Sequence, residues 1–152
     1  MKKIMIVGTN DLDKSLIANY INQNSTHCIP KRKFGAISYS GKTIIIPTEY
    51  LECPWMYSSI IATQQQADML VMLRDARSKK EVYPPGFAQS FRIPIIGIIT
   101  NSHDERQLEK SYFELQKAGI KELIFDCNLE DETDLLKIKK IIEEGRVIDG
   151  NL

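Results

Sequence analysis

The chain has 152 residues, a length typical of a single domain that buries about 70% of its unfolded surface. Its 20 basic and 20 acidic residues give a formal net charge of zero, which argues against the basic surface of a nucleic-acid-binding protein. No apolar run reaches the roughly 20 residues needed to cross a bilayer, and the run before Gly8 is too short for a signal peptide. We therefore expect one cytoplasmic domain over residues 1–152, with neither nucleic acid nor a membrane as a partner.

The cysteines and histidines are few and far apart. Cys28, Cys53 and Cys127 form an odd, widely spaced set, which argues against a disulfide framework and against a CxxC metal site. His27 and His103 are also distant from each other, and the G-x-S-x-G elbow of serine hydrolases is absent. These features favour a reducing, cytoplasmic setting.

Short apolar runs typical of strands recur along the chain. Four of them suit strands of a buried parallel sheet: residues 4–7, 69–73, 94–100 and 123–125. Residues 36–39 and 43–46 are two further strands, and Gly41 between them indicates a hairpin. The hairpin adds one antiparallel edge strand to the sheet.

Helical spacing of apolar residues follows most of these strands. The first helix contains Leu16, Ile17, Tyr20 and Ile21, and a polar loop follows it over residues 22–30. Later helices are predicted over 54–63, over 104–118 and over 131–144, and a short one after the Pro-Pro-Gly at 84–86. Gly119 is the predicted C-cap of the helix over 104–118, and Gly145 ends the last helix. The alternation predicts an α/β fold of three layers, in which a mostly parallel sheet has helices on both faces.

The segment between the first strand and the first helix has the spacing of a phosphate-binding loop. Residues 8–15 read GTNDLDKS, and the pattern G-x-x-x-x-G-K-[ST] is met at Gly8, Lys14 and Ser15, with Asp13 in place of the second glycine. In such a loop backbone N–H groups surround the phosphates, the Lys pairs with them and the hydroxyl binds Mg²⁺. These four residues are therefore the predicted, degenerate phosphate loop, with Ser15 as the metal ligand if Mg²⁺ binds.

Asp13 weakens this loop in two ways. Its Cβ stands where the backbone must approach phosphate closely, which glycine permits most easily. Its carboxylate also repels phosphate, because like charges ~4 Å apart repel by about 4 kcal/mol at an effective dielectric of 20, roughly a thousandfold in affinity. Asp11 adds to this repulsion. As an alternative, either Asp is a good N-cap for the first helix, and capping is compatible with weak phosphate binding.

Three further blocks give the chain a resemblance to a known family. Residues 47–52 read PTEYLE, residues 82–88 read VYPPGFA and residues 93–100 read IPIIGIIT. With the loop at Gly8, these blocks resemble, in order and over nearly the whole chain, the ethanolamine-utilization protein P and propanediol-utilization protein V family of Ras-like GTPases. The resemblance implies a Ras-like P-loop NTPase fold, GTP with Mg²⁺ as ligand, and a role in ethanolamine or propanediol utilization at bacterial microcompartments.

The other nucleotide motifs of that family are altered here. The switch stretch Asp-Thr-Pro-Gly, whose Asp approaches Mg²⁺, corresponds to residues 45–48 and begins with Ile45, which lacks the oxygen that this cation requires. The guanine-reading motif corresponds to residues 100–103, where Asn101 and His103 replace the Lys and the Asp. Asp104 follows one residue late and suits the N-cap of the next helix. The Ser-Ala turn corresponds to 127–128, which read CN.

Because residues that bind phosphate, magnesium and the base are all replaced, we interpret the chain as a pseudo-GTPase. It has no catalytic residues and no cofactor, and it acts as an accessory protein that binds microcompartment shell proteins or pathway enzymes. The predicted partner surface corresponds to switch II of Ras-like proteins and consists of Glu49, Tyr50, Trp55, Tyr57 and Pro85.

Three alternatives stay open from the sequence. Trp55 fits equally well beneath the next helix, where it makes no contact surface. Lys14 and Ser15 also support a weak GTP- or ATP-binding protein, a slow NTPase with Mg²⁺. A sensor of small molecules or anions is the third, since open α/β sheets commonly bind ligands at this crevice.

Overall fold

A computed structural model describes residues 3–22, 36–120 and 123–144. Within them the strands form one sheet in the order β2-β3-β1-β4-β5-β6, in which β2 and β3 pair antiparallel and the other neighbours pair parallel. The strands are β1 (Ile4–Val7), β2 (Ser38–Ser40), β3 (Thr43–Ile45), β4 (Met69–Asp75), β5 (Ile95–Thr100) and β6 (Ile124–Cys127). The prediction of a mostly parallel sheet with one antiparallel edge strand is confirmed.

The helices follow the predicted order with shifted ends. They are α1 (Asp11–Ile21), α2 (Thr48–Glu52), α3 (Tyr57–Thr63), α4 (Glu105–Ala118) and α5 (Glu132–Glu144), with 3-10 turns at Pro54–Met56, Gln64–Gln66 and Phe87–Ser90. The helix predicted over 54–63 is divided into a 3-10 turn and α3, and α2 was not predicted. None of the helices in the described part of the chain is long and apolar enough to span a bilayer.

Alternate residues of the central strands face opposite sides of the sheet. Ile4 and Ile6 of β1 join a core layer with apolar residues of α1 and α5, whereas Met5 and Val7 join the layer under α3 and α4. Since both faces of the sheet are covered, its strands are apolar on both sides, which explains their continuous apolar runs. The predicted three layers are confirmed.

Caps and turns fix where several elements begin and end. Asp104 caps α4 by accepting a hydrogen bond from the Gln107 N–H, and Gly119 ends that helix at φ +119°, as predicted. The N-cap of α1 is Asn10, so the prediction of Asp11 or Asp13 as the cap is wrong. Both aspartates instead lie inside the first turn, where an acidic residue favours the helix dipole.

The carboxyl ends of the parallel strands meet at one edge of the sheet. The chain leaves β1 toward β3 on one side and returns to β4 on the other, which makes the end of β1 a topological switch point where such sheets commonly bind ligands. The predicted phosphate and base motifs both follow strands at this edge. His27, Cys28, Gly145 and most of the loop predicted over 22–30 lie outside the described residues.

Candidate nucleotide-binding site

The connection from β1 to α1 is shorter than the phosphate-loop spacing predicts. α1 begins at Asp11, so residues 8–10 alone form the connection, and Lys14 and Ser15 lie in the helix. The side chain of Asn10 accepts from the Asp13 N–H at 3.1 Å, and its carbonyl accepts from the Lys14 N–H at 3.1 Å. Backbone donors that would converge on a phosphate are therefore used by Asn10 to start the helix.

Lys14 is completely buried and directs its ammonium into the protein. Its relative exposure is 0%, and Nζ donates to the Ile46 carbonyl at 2.8 Å and to Thr48 Oγ1 at 3.1 Å. It also lies 3.1 Å from Oδ1 of Asp11. An ammonium has three N–H donors, and at least three oxygen atoms of the protein contact this one. A phosphate would have to displace one of them to reach Lys14.

Asp11 places a carboxylate oxygen beside the ammonium of Lys14. Thr48 donates through its hydroxyl to the same oxygen, Oδ1 of Asp11, at 2.9 Å. The Asp11 side chain is 55% exposed, whereas that of Lys14 is inaccessible. An oxygen of the protein thus has the two partners that an oxygen of a bound phosphate would need.

Of the two positions that correspond to the family's magnesium ligands, Ser15 has a hydroxyl oxygen to offer and Ile45 has none, as predicted from the sequence. Ser15 is buried in α1, and Ile45, at the position of the family's switch Asp, is buried as part of β3. Mg²⁺ requires oxygen ligands in nearly octahedral geometry, which an isoleucine cannot supply. Among the described residues no group of three or more His, Cys, Asp or Glu side chains is placed to hold a metal ion.

Asp13 turns toward the base-motif loop and not toward Lys14. It is 4% exposed, and Oδ2 accepts from Thr100 Oγ1 at 2.8 Å and from Asn101 Nδ2 at 3.1 Å. The pKa of this carboxyl is raised, mainly by burial. The hydrogen bond from Thr100 lowers the pKa by less than burial raises it, and the Asp75 carboxylate raises it further. Asn101 adopts φ +56°, in the left-handed region that Asn tolerates better than most residues.

Asp75, at the end of β4, anchors the connection after β1. Its carboxylate accepts from Asn10 Nδ2 and from the Arg77 guanidinium, both at 2.9 Å. Burial alone would raise the pKa of Asp75, but these hydrogen bonds outweigh it and hold the pKa at about 2. The carboxylate is therefore ionised at neutral pH and stabilises the Asn10 side chain that caps α1.

A cleft of about 340 Å³ lies where a base would bind, between the loops after β5 and β6. Its walls include His103, which is exposed, and four carboxylates, those of Asp13, Asp126, Glu130 and Asp134, with no Lys or Arg among its described lining residues. Burial and, after it, the Asp134 carboxylate raise the pKa of the Cys127 thiol to about 12. These carboxylates make the cleft acidic, and its described lining residues offer no basic side chain that would attract a phosphate.

The residues of the predicted partner surface differ in their exposure to solvent. Trp55 is 76% exposed, so the alternative in which it packs beneath the next helix is wrong. The Tyr57 ring packs edge-to-face on Phe87 at 5.5 Å, which brings α3 against the turn that contains Pro85. Glu49 and Tyr50 are half-buried on α2, and Pro85 is exposed.

The sequence did not predict a buried ion pair that shapes the segment after β4. Arg74 Nε lies 2.9 Å from Glu114 Oε1, and both side chains are buried. Glu114 Oε2 also accepts from the Val82 and Tyr83 N–H groups, at 2.8 and 3.1 Å. The signal in the sequence was Arg74, a charged residue that directly follows the apolar run Met69–Leu73.

Comparison with known proteins gives a family and a fold. The family model described as ethanolamine utilisation - propanediol utilisation matches residues 1–144. The propanediol utilization protein PduV of Citrobacter freundii is 29% identical over 133 residues, which cover 86% of this chain and 87% of that protein. The probable acetate kinase EutP of Escherichia coli (strain K12) is 27% identical over 134 residues, covering 86% and 82% of the two chains.

Solved structures with the same fold include G domains. The FeoB G domain of Methanococcus jannaschii matches with a TM-score of 0.57 at 18% identity, covering 94% of this chain and 96% of that one. Elongation factor SelB of Methanococcus maripaludis, in complex with the GTP analogue GppNHp, matches with a TM-score of 0.57 at 14% identity, covering 94% of this chain and 33% of that one. At these identities the likeness shows the fold alone, which is the P-loop NTPase α/β fold.

Proposed function

The chain belongs to the ethanolamine utilisation - propanediol utilisation family, and we propose that it acts there as a pseudo-GTPase, a protein-binding platform whose nucleotide site is closed. The observation that carries this proposal is the burial of Lys14, whose ammonium already has three acceptors within the protein. Because the phosphate-loop lysine supplies a positive charge to the β- and γ-phosphates, its internal pairing weakens nucleotide binding.

Further contacts support a closed site. A triphosphate would have to separate Asp11 from Lys14, uncap α1 at Asn10 and approach the Asp13 carboxylate. A phosphate must therefore replace contacts that the folded protein already makes, so that its pairing with Lys14 yields less net binding free energy than it would at an open loop. These losses add to the absence of a base-reading Asp and of a magnesium-binding Asp.

An exposed tryptophan supports a role in binding proteins. Trp and Tyr are among the side chains that most often anchor protein interfaces; Trp55 is 76% exposed, and Tyr50 and Tyr57, near it in the chain, are half-buried. We place the partner surface on Glu49, Tyr50, Trp55, Tyr57 and Pro85. By family, the partners proposed are shell proteins of a microcompartment or enzymes of ethanolamine or propanediol breakdown.

Weak binding of GTP or ATP is the second candidate. It is favoured by the retention of Lys14 and Ser15, and by the 27% identity to the probable acetate kinase EutP, whose name implies phosphoryl transfer. In this candidate the helix start at Asp11 opens when Mg²⁺–nucleotide binds.

Thermal unfolding of the wild-type protein with GTP, GDP and ATP, each with and without Mg²⁺, separates the two candidates. A ligand at a hundred times its Kd adds about 2.7 kcal/mol, or roughly 5–11 °C in Tm for a chain of this size. We expect no shift at millimolar nucleotide. A Mg²⁺-dependent shift that is lost in Lys14→Met would replace the pseudo-GTPase with a nucleotide-binding protein.

Binding to purified shell proteins and pathway enzymes tests the platform itself. Trp55→Ala should weaken such binding at least tenfold, as expected for an interface anchor. Phe113→Ala is the matched control, because Phe113 is an aromatic residue 61% exposed on α4 and is not among the residues of the proposed surface. Equal losses in both variants would place the interface elsewhere.

A further inference from the structure

We propose that the chain forms a symmetric homodimer through β6. In this dimer the β6 strands of two copies pair antiparallel, and the groove between β6 and α4 of each copy packs against the same groove of the other. The inference goes beyond the proposed function and does not depend on the state of the nucleotide site. It assigns a partner, a second copy of the same chain, to a surface that the proposed function leaves unused.

β6 is an edge strand of the sheet that the described residues form. The Gly97 N–H donates to the Leu123 carbonyl at 2.7 Å, which directs the backbone of Leu123 toward β5. Backbone groups of successive residues in a strand point to opposite sides, so those of Ile124 and Asp126 point away from β5. These outward N–H and C=O groups have the arrangement that a further strand needs for pairing.

A groove of about 490 Å³ lies between β6 and α4, on one face of this edge. Its lining is mostly apolar and includes Leu108, Tyr112, Phe113 and Ile124. Phe113 is 61% exposed and Tyr112 is 39% exposed, although the other side of α4 packs against the sheet. Large exposed aromatic side chains beside an open strand edge are typical of a surface that binds another protein.

Acidic and basic side chains lie at opposite ends of this groove. α4 runs antiparallel to β6, because it returns the chain from the end of β5 to the start of β6. Glu109 and Asp126 therefore place their carboxylates toward the end of β6, whereas Lys117, in the last turn of α4, lies toward its start. Lys117 stays close to the groove, since its ammonium lies 5.5 Å from the centre of the Phe113 ring.

An antiparallel pair of β6 strands brings these opposite charges together. The two-fold axis of such a pair sets the end of one β6 beside the start of the other, so Asp126 of each copy comes toward Lys117 of the second copy. Phe113, between the two charged ends of the groove, then meets its counterpart near the axis. A parallel pair would instead set like charges beside each other. This charge complementarity identifies a second copy as the partner and fixes its orientation.

Sedimentation equilibrium of the full chain, from micromolar to millimolar concentration, tests the dimer. We expect the mass to rise from 17.4 kDa to twice that value, and less steeply at high salt, which screens exposed charges. Phe113→Ala should weaken dimerisation roughly tenfold or more, with Trp55→Ala, an exposed aromatic residue outside the groove, as the matched control. A wild-type chain that stays monomeric, or a Phe113→Ala variant that dimerises as the wild type does, would overturn the proposal.

Charge reversal tests the two-fold arrangement. Asp126→Lys and Lys117→Glu should each weaken self-association roughly tenfold or more, because like charges then meet at two symmetry-related places. An equimolar mixture of the two variants should dimerise about as well as the wild type, since each variant offers the charges that the other needs. Single variants that associate normally, or a mixture that stays monomeric, would reject the antiparallel pairing.

Amide hydrogen exchange of the wild-type chain covers the case in which a variant does not fold, as when Asp126→Lys loses the hydrogen bond from the Ser102 hydroxyl. Exchange at Ile124 and Asp126 should slow as the protein concentration rises, whereas exchange in β2, at the opposite edge of the described sheet, should not change. Exchange at both residues that is independent of concentration would overturn the proposal. Binding of nucleotides or partner proteins is a separate result and bears on the proposed function alone, because none of these residues belongs to the proposed partner surface.

Discussion

The hydroxyl of Thr100, at the end of β5, donates a 2.8 Å hydrogen bond to the carboxylate of Asp13, 87 positions earlier in the first turn of α1. Asn101 donates to the same carboxylate oxygen at 3.1 Å. Asp13, which replaces the second glycine of the phosphate-loop pattern, is therefore hydrogen-bonded to two residues of the altered base motif. The two departures from the family pattern form one structural unit, so we expect their effects on stability to be coupled.

Asp13→Asn should raise stability at neutral pH. The pKa of Asp13 is raised by burial, so the folded protein loses stability as pH rises from 3.8 through the raised value. The Asn variant keeps an acceptor for Thr100 but has no such loss, so its Tm should exceed that of the wild type at pH 7 and converge with it below about pH 3.8. Unfolding curves from pH 3 to 8 check this, with Glu81→Gln, a change of an exposed carboxylate, as control. A less stable variant at pH 7 would show that the hydrogen bonds to the charged carboxylate dominate.

Asp75→Asn should have the opposite pH signature. The folded pKa of Asp75 is about 2, below the ordinary 3.8, so its carboxylate contributes stability that is present above pH 3.8 and lost as pH falls through about 2. The variant should be less stable than the wild type at pH 7, and the difference should shrink below pH 3.8. Urea unfolding at pH 7, 4 and 3 measures it. If the stability difference between the variant and the wild type did not depend on pH, the negative charge of Asp75 would not be what stabilises the Asn10 side chain.

Glu114→Ala should destabilise the protein by about 3–5 kcal/mol. The change leaves the Arg74 guanidinium buried without its carboxylate, and it removes the acceptor of the Val82 and Tyr83 N–H groups. Glu109→Ala on the exposed side of the same helix should stay within about 0.5 kcal/mol of the wild type. Urea denaturation of the three proteins gives the values. A similar small change in both variants would mean that water replaces the lost carboxylate.

Asp13→Gly should not by itself restore phosphate binding. It recovers the glycine of the phosphate-loop pattern, but Lys14 keeps its bonds to Ile46, Thr48 and Asp11. Calorimetric titration with pyrophosphate and with Mg²⁺–GTP should show no binding at millimolar ligand. Tight binding by this single variant would identify the Asp13 carboxylate, and not the internal pairing of Lys14, as the barrier.

Local patterns in the sequence were enough for the framework of the fold. Continuous apolar runs such as residues 4–7 and 94–100 predicted buried parallel strands, because a strand covered by helices on both faces has no polar side. The turn at Gly41, the cap at Asp104 and the end of α4 at Gly119 depend on neighbouring residues, so they too were predicted correctly. The motif blocks also identified the family, which the comparisons show.

The state of the candidate site required the tertiary structure. The same spacing of Gly8, Lys14 and Ser15 is compatible with a phosphate loop and with a helix that begins early, and Asn10 decides for the helix. Ile46 and Thr48, which hold the Lys14 ammonium, lie 32 and 34 positions away. The sequence determined which elements form, because their signals are local, whereas the internal pairing of Lys14 was decided by strand order, which brings distant polar groups to one edge of the sheet.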